Sequence, residues 1–159
     1  LGLQVVSMLG IIPGVIFTYI LPQDASGSST QKLRMLTILG SVILAVLGVF
    51  LAPILIPIVF PEYEESLILI PILSISIIPS TITSMYTSKF LGKEKSLYVL
   101  IGYLISASAL VLGILILSEI FGVIGLAIAF VGSMSLQAIF LVIMNYFKRD
   151  IFREKMNHE

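Results

Sequence analysis

Cysteine is absent from this 159-residue chain, histidine occurs once, and only 11% of the residues are charged. The missing cysteine excludes disulfides, thiolate metal sites and cysteine nucleophiles. The single histidine, His158, stands one residue from the end and reads as a solvated tail group. There is no P-loop, no G-x-G-x-x-G in a strand–helix context, no H-E-x-x-H and no G-x-S-x-G. Serine and threonine are plentiful, but no His or Lys lies within the apolar runs to activate them. No catalytic constellation is visible. The expectation is a protein that is not an enzyme and has no cofactor, metal or nucleic-acid partner.

What is present is hydrocarbon. Apolar residues make up 58% of the chain, and its mean hydropathy is +1.13. A soluble domain averages about 45–50% apolar and about 25% charged residues. A chain this short has too much surface for its volume to hide the excess in one aqueous core, so a lipid bilayer is the expected solvent. All nine basic and nine acidic residues fall outside five long apolar runs, at about 1–21, 35–60, 66–88, 97–118 and 122–147. The runs are continuous rather than alternating ~10-mers, which favours helices over a barrel. The expected fold is an all-α integral membrane protein. Its five transmembrane helices form a bundle over 1–147, followed by a charged cytoplasmic tail at 148–159.

Charge placement orients the bundle. Lys32 and Arg34 mark the first connection, Lys89, Lys93 and Lys95 the third, and Lys148, Arg149, Arg153 and Lys155 the tail. The second and fourth connections carry Glu62, Glu64, Glu65 and Glu119 without Lys or Arg. By the positive-inside rule the N-terminus lies outside and the C-terminus inside. The tail can also touch anionic headgroups through Lys148 and Arg149. The acid cluster PEYEE at 61–65 then reads as a tight external turn. A divalent-ion site from Glu62, Glu64 and Glu65 is its minor alternative. The chain opens LGLQVV, with no initiator Met and no basic n-region, so it reads as part of a longer protein and not as a signal peptide.

Within the runs, polar and small residues fall at helical spacing. Ser76, Ser80, Thr83 and Thr87 form one stripe of the third run, which should face other helices or a wet cavity rather than lipid. Interhelical packing is one reading of this stripe, and a substrate path is the other. Pro71 and Pro79 in the same run are candidate bends. Gly102, Ser106, Ala109 and Gly113 in the fourth run, and Gly125, Ala129 and Gly132 in the fifth, allow close helix approach. Gln4, Gln137 and Asn145 read as packing or interface groups. No ionisable side chain other than tyrosine lies within a run, so no ion-coupling residue can be assigned here.

Several stretches, taken in order, carry a resemblance. They are TYILP at 18–22 with QKLRML at 31–36, then LAPILIPIVFPEYEESLILIPILSISIIPS at 51–80, SKFLGKEKSLYVLIGYLIS at 88–106 and FGVIGLAIAF at 121–130. Together they resemble the C-terminal part of a polysaccharide-biosynthesis flippase of the multidrug/oligosaccharidyl-lipid/polysaccharide exporter superfamily. The chain departs from that pattern at Phe60–Pro61, where Gly is frequent, and after Pro22, where Ser26 is the nearest hydroxyl. The resemblance implies one lobe of a two-lobe transporter in a prokaryotic plasma membrane. Its cargo would be an isoprenoid-pyrophosphate-linked oligosaccharide, moved by alternating access. The partners implied are the lipid bilayer, that cargo and a missing N-terminal half supplying cationic cavity residues. A drug or cation exporter of the same superfamily and a non-transporting membrane scaffold subunit are the rival readings.

Overall fold

The computed structural model describes residues 31–59 and 68–156, together with Ile11, Val15 and Thr18, which are exposed; Ile11, Val15 and Thr18 are also helical. Among the described residues from 31 on, five helices follow one another: α1 (Gln31–Val59), α2 (Leu69–Ile75), α3 (Ile77–Leu91), α4 (Ser96–Phe121) and α5 (Val123–Met156). Among the described residues there is no strand. Among them, three helical segments are long and apolar enough to cross a membrane: Leu69–Leu91, Ser96–Phe121 and Val123–Phe147. The last has 25 residues and rises about 38 Å, more than the ~30 Å hydrocarbon core. Within the 29-residue α1, Thr37–Leu51 is a further apolar helical stretch. The first expected span, 1–21, lies outside the described residues except at Ile11, Val15 and Thr18.

The exterior is largely apolar, and the interior mixes small and polar residues with a few large apolar ones such as Ile77, Phe90 and Leu141. Leu97, Leu100, Leu104, Val111, Leu112, Leu115 and Ile116 of α4 are all exposed. Fully or nearly buried positions include Ser41, Ala45, Ser74, Thr81, Ser88, Ala127, Ala129, Ser133 and Ala138. A contiguous apolar exterior of this extent fits hydrocarbon as the surrounding medium. Lipid tails give no hydrophobic drive for helices to associate, so association depends on close backbone packing at small residues.

The α4–α5 hairpin shows this packing residue by residue. Gly122 closes the turn at φ 57°, ψ −130°, a conformation open to glycine, and its N–H donates to the Ser118 carbonyl at 2.9 Å. A Cβ on Gly125 would collide with the Leu117 carbonyl. One on Gly113 would stand 2.9 Å from the Cβ of Ala129, and one on Gly102 would meet Leu141, Phe140 and Gln137. These meetings define an antiparallel register along the whole hairpin. α5 also packs against α3 and α2, and α1 lies on their other flank. There a Cβ on Gly48 would come within 2.6 Å of the Ser74 hydroxyl.

At the opposite end of α4, residues 92–95 turn the chain from α3. The Lys95 N–H reaches the Phe90 carbonyl at 2.8 Å and the Glu94 N–H the Leu91 carbonyl at 2.9 Å. With Glu94 at φ 57°, this is a Schellman-type cap whose left-handed position holds glutamate where glycine is usual. Phe90, Val99 and Leu141 form a buried cluster behind the turn, with Tyr98, Phe140 and Met144 packed on it, and the Phe90 and Tyr98 rings stand 5.4 Å apart.

One expectation is corrected. Gly132 is exposed, with open space where its Cβ would be, so it is not part of the close-packed face of α5; Ser133, beside it in sequence, is buried instead. The third run overlaps the membrane-length segment Leu69–Leu91, divided at Ser76 into α2 and α3. The charged segment from 148 continues α5 as helix to Met156.

The packing implies opposite signs for two similar substitutions. In detergent micelles Gly125→Ala should lower the thermal unfolding midpoint, at a cost of about 1–3 kcal/mol from the carbonyl clash. Gly132→Ala should leave it unchanged or raise it, by up to about 1 kcal/mol of helix propensity. A second expectation concerns the cap. Glu94→Gly relieves the left-handed backbone and should stabilise the chain by about 1 kcal/mol, whereas Glu94→Val should destabilise it in the same measurement.

Candidate functional site: a polar seam along a broken span

The break at Ser76 follows from Pro79. Proline lacks an N–H and its ring crowds the carbonyl four residues back, here that of Ile75. Regular α-helical bonding therefore cannot run through this point, and the Ser76 N–H instead makes a tighter bond to the Leu73 carbonyl at 3.0 Å. Pro71 is the third residue of α2 and Pro79 the third of α3, where a helix has no internal acceptor for the missing donor. Serine hydroxyls crowd the interruption. Ser74 Oγ donates to the Ile70 carbonyl at 2.8 Å, Ser76 Oγ to that of Leu73 at 2.6 Å and Ser80 Oγ to that of Ile77 at 3.0 Å.

Two faces of this span bear hydroxyls. On one, Ser76 and Thr87 are buried, while Ser80 and Thr83 are half-buried. On the other, Ile70, Ser74, Ile77, Thr81, Met85 and Ser88 recur at intervals of three and four, and none exposes more than 2% of its surface. The hydroxyls of Thr81, Thr83, Thr87 and Ser88 are buried with no hydrogen-bond partner among the described residues. The Nε2 of Gln137 on α5 is in the same condition, and the Gln137 side chain packs toward Gly102 of α4. An unpaired buried polar group costs about 1–3 kcal/mol. Such groups therefore mark places where a helix sacrifices stability.

Thr81 and Ser88 escape a reading of the sequence, whereas Gln137, expected as a packing or interface group, is buried in the packing. Thr81 and Ser88 alternate with Ile70, Ile77 and Met85, so their face looks like an apolar seam with interruptions. The four-and-three spacing was the available signal. Gln137 shares its buried face of α5 with Ser133, one turn before it. The acidic residues Glu62, Glu64 and Glu65 lie outside the described residues. Among those described, no group of three or more His, Asp or Glu side chains could hold a metal.

Chemically, the buried polar groups described are Ser, Thr and Gln. They donate and accept hydrogen bonds but carry no charge. At the basic end of α3, Lys89 Nζ stands 6.0 Å from the centre of the Tyr86 ring, the outer range for a cation–π contact. No family model, curated protein or solved structure matches the chain. The fold itself defines the class: among the described residues it is all-helical, with three helical segments long and apolar enough to span a membrane.

The orphaned hydroxyls make a stability prediction. Thr81→Val removes an unpaired group at nearly constant shape and should leave the unfolding midpoint unchanged or raise it by about 1 kcal/mol equivalent. Thr81→Ala also opens a methyl-sized void and should lower it by about 1 kcal/mol. A valine variant less stable than the alanine variant would mean that the hydroxyl is paired.

Proposed function

We propose that the chain is the C-terminal lobe of a membrane flippase that carries an isoprenoid-linked oligosaccharide across the plasma membrane by alternating access. The carrying observation is the broken, hydroxyl-bearing span α2–α3, held between α1 on one flank and α5 on the other. Transporters place interrupted helices where backbone and polar side chains meet cargo, because irregular backbone is tolerated in a membrane only against protein or water. Ser76, Ser80, Thr83 and Thr87 offer neutral hydrogen-bonding groups suited to sugar hydroxyls. The loop order that resembles polysaccharide flippases supports the same cargo class.

In this reading five spans cross the bilayer with the N-terminus outside. The basic connections at 32–34 and 89–95 and the segment from 148 face the cytoplasm. Charge to meet a pyrophosphate comes from the other lobe, since the described interior is neutral. Pro79 sits at the interruption, where a change of bend would let one lobe rock against the other.

These 159 residues contain no cysteine, and any elsewhere in the parent protein are first replaced by serine. Cysteines are placed one at a time at Ser80, Thr83, Ile77 and Ile82 in the parent protein in native membranes. A hydrophilic thiol reagent should label the first two, and added lipid-linked oligosaccharide should protect them; Ile77, only 1% exposed, and Ile82 should stay unlabelled. Equal labelling of both pairs, or labelling indifferent to the oligosaccharide, would remove the substrate path and favour a scaffold subunit.

A further inference from the structure

The hairpin register brings two basic segments, far apart in sequence, to one end of the bundle. Gly125 meets Leu117, Gly113 meets Ala129, and Gly102 meets Phe140 and Leu141. Continued along both helices, the same antiparallel register sets the start of α4, Lys95–Ser96, level with Phe147–Lys148 of α5. The α3–α4 turn and the end of the α5 span therefore share a level. Lys89, Lys93, Lys95, Lys148 and Arg149 lie there, against the acidic Glu94 and Asp150. At the other end of the hairpin stands Glu119, with no Lys or Arg between 96 and 147.

The turn is a firm platform. The Schellman-type bonds fix residues 92–95, and the Phe90–Val99–Leu141 cluster ties α3, α4 and α5 together beneath it. Lys93 is exposed, while Lys89 and Lys95 are half-buried. Tyr98, half-buried, and Tyr146 and Phe147, both exposed, stand at the same level, the depth at which aromatic rings meet lipid headgroups.

We propose that this end of the bundle is a docking surface for anionic phospholipid, the phosphodiester headgroups being held by Lys93 and Lys95 of the turn. The argument is charge complementarity at the depth where the aromatic residues place the headgroups. A bilayer leaflet rich in phosphatidylglycerol supplies the matching negative charge. The surface rests on these helices spanning a bilayer and is independent of the transport reading.

The full chain is reconstituted in bilayers of equal phosphatidylglycerol and phosphatidylcholine and extracted in mild detergent, and its retained lipid is counted by mass spectrometry. Phosphatidylglycerol should be enriched, less so as salt rises. Changing Lys93 and Lys95 to Gln should reduce the enrichment by about fivefold per lysine. The Lys93→Arg, Lys95→Arg pair should retain it, and Glu119→Gln at the far end should not alter it. Circular dichroism checks that each variant keeps its helix content. Equal retention of both lipids by the parent chain, or undiminished enrichment in the Gln pair, overturns the proposal. A chain that retains phosphatidylglycerol but whose Ser80 and Thr83 positions ignore the oligosaccharide would keep this surface and lose the flippase.

Discussion

Close approach of backbones at small residues is the constraint on which this bundle rests. In water, large apolar side chains would bring the helices together by leaving solvent. Here many Leu, Ile and Val side chains point outward, although Ile70, Leu73, Ile77, Val99 and Leu141 are buried, and in a bilayer the solvent the outer ones meet is as apolar as they are. What remains to hold α4 to α5 is contact geometry at Gly102, Gly113 and Gly125, and to hold α1 to α2 the fit of Gly48 against Ser74. Each is a point where one added methyl meets backbone or a neighbouring side chain. The hairpin tolerates little change along this seam and a great deal on the opposite side, where Gly132 faces open space.

The same constraint sets which span lies inside. The share of buried positions falls from 44% in Leu69–Leu91 to 33% in Val123–Phe147 and 11% in Ser96–Phe121. That order follows polarity. The first carries several hydroxyls and two prolines, and the last is mostly Leu, Ile and Val. Lipid accepts α4 on most of its circumference because its exposed residues are mostly aliphatic. It would not accept the interruption at Ser76, where the Ile75 carbonyl loses its usual donor to Pro79, unless protein covered it. The helix with the most irregular backbone is therefore the most enclosed.

Much of this was legible in the residues, and the limits are physical. Apolar runs expected at 97–118 and 122–147 coincide with α4 and the membrane-length part of α5, because length and hydropathy alone decide them. The seam residues Gly102, Gly113, Gly125 and Ala129 were legible from their spacing. Gly132 shares that spacing but faces away: a small-residue motif states which residues could pack, not which side the partner takes. Thr81 and Ser88 were hidden because a face buried against protein and a face turned to lipid are both mostly apolar in a membrane helix. Helix persists past Phe147 because Lys, Arg and Glu are good helix formers, and the end of the hydrocarbon need not end the helix.

Glu94 shows how the two ends of the hairpin solve one problem differently. Both turns need a residue at positive φ, and the α4–α5 turn uses Gly122. The α3–α4 turn accepts the strain of a glutamate flanked by Lys93 and Lys95. A glycine there would relieve the backbone but make the turn more basic by one charge. The carboxylate moderates the repulsion between two lysines fixed on a short cap, so that both can be held at one level of the bundle. The strained residue sits at the basic end, whereas the glycine turn, beside Glu119, has no like charges to hold together.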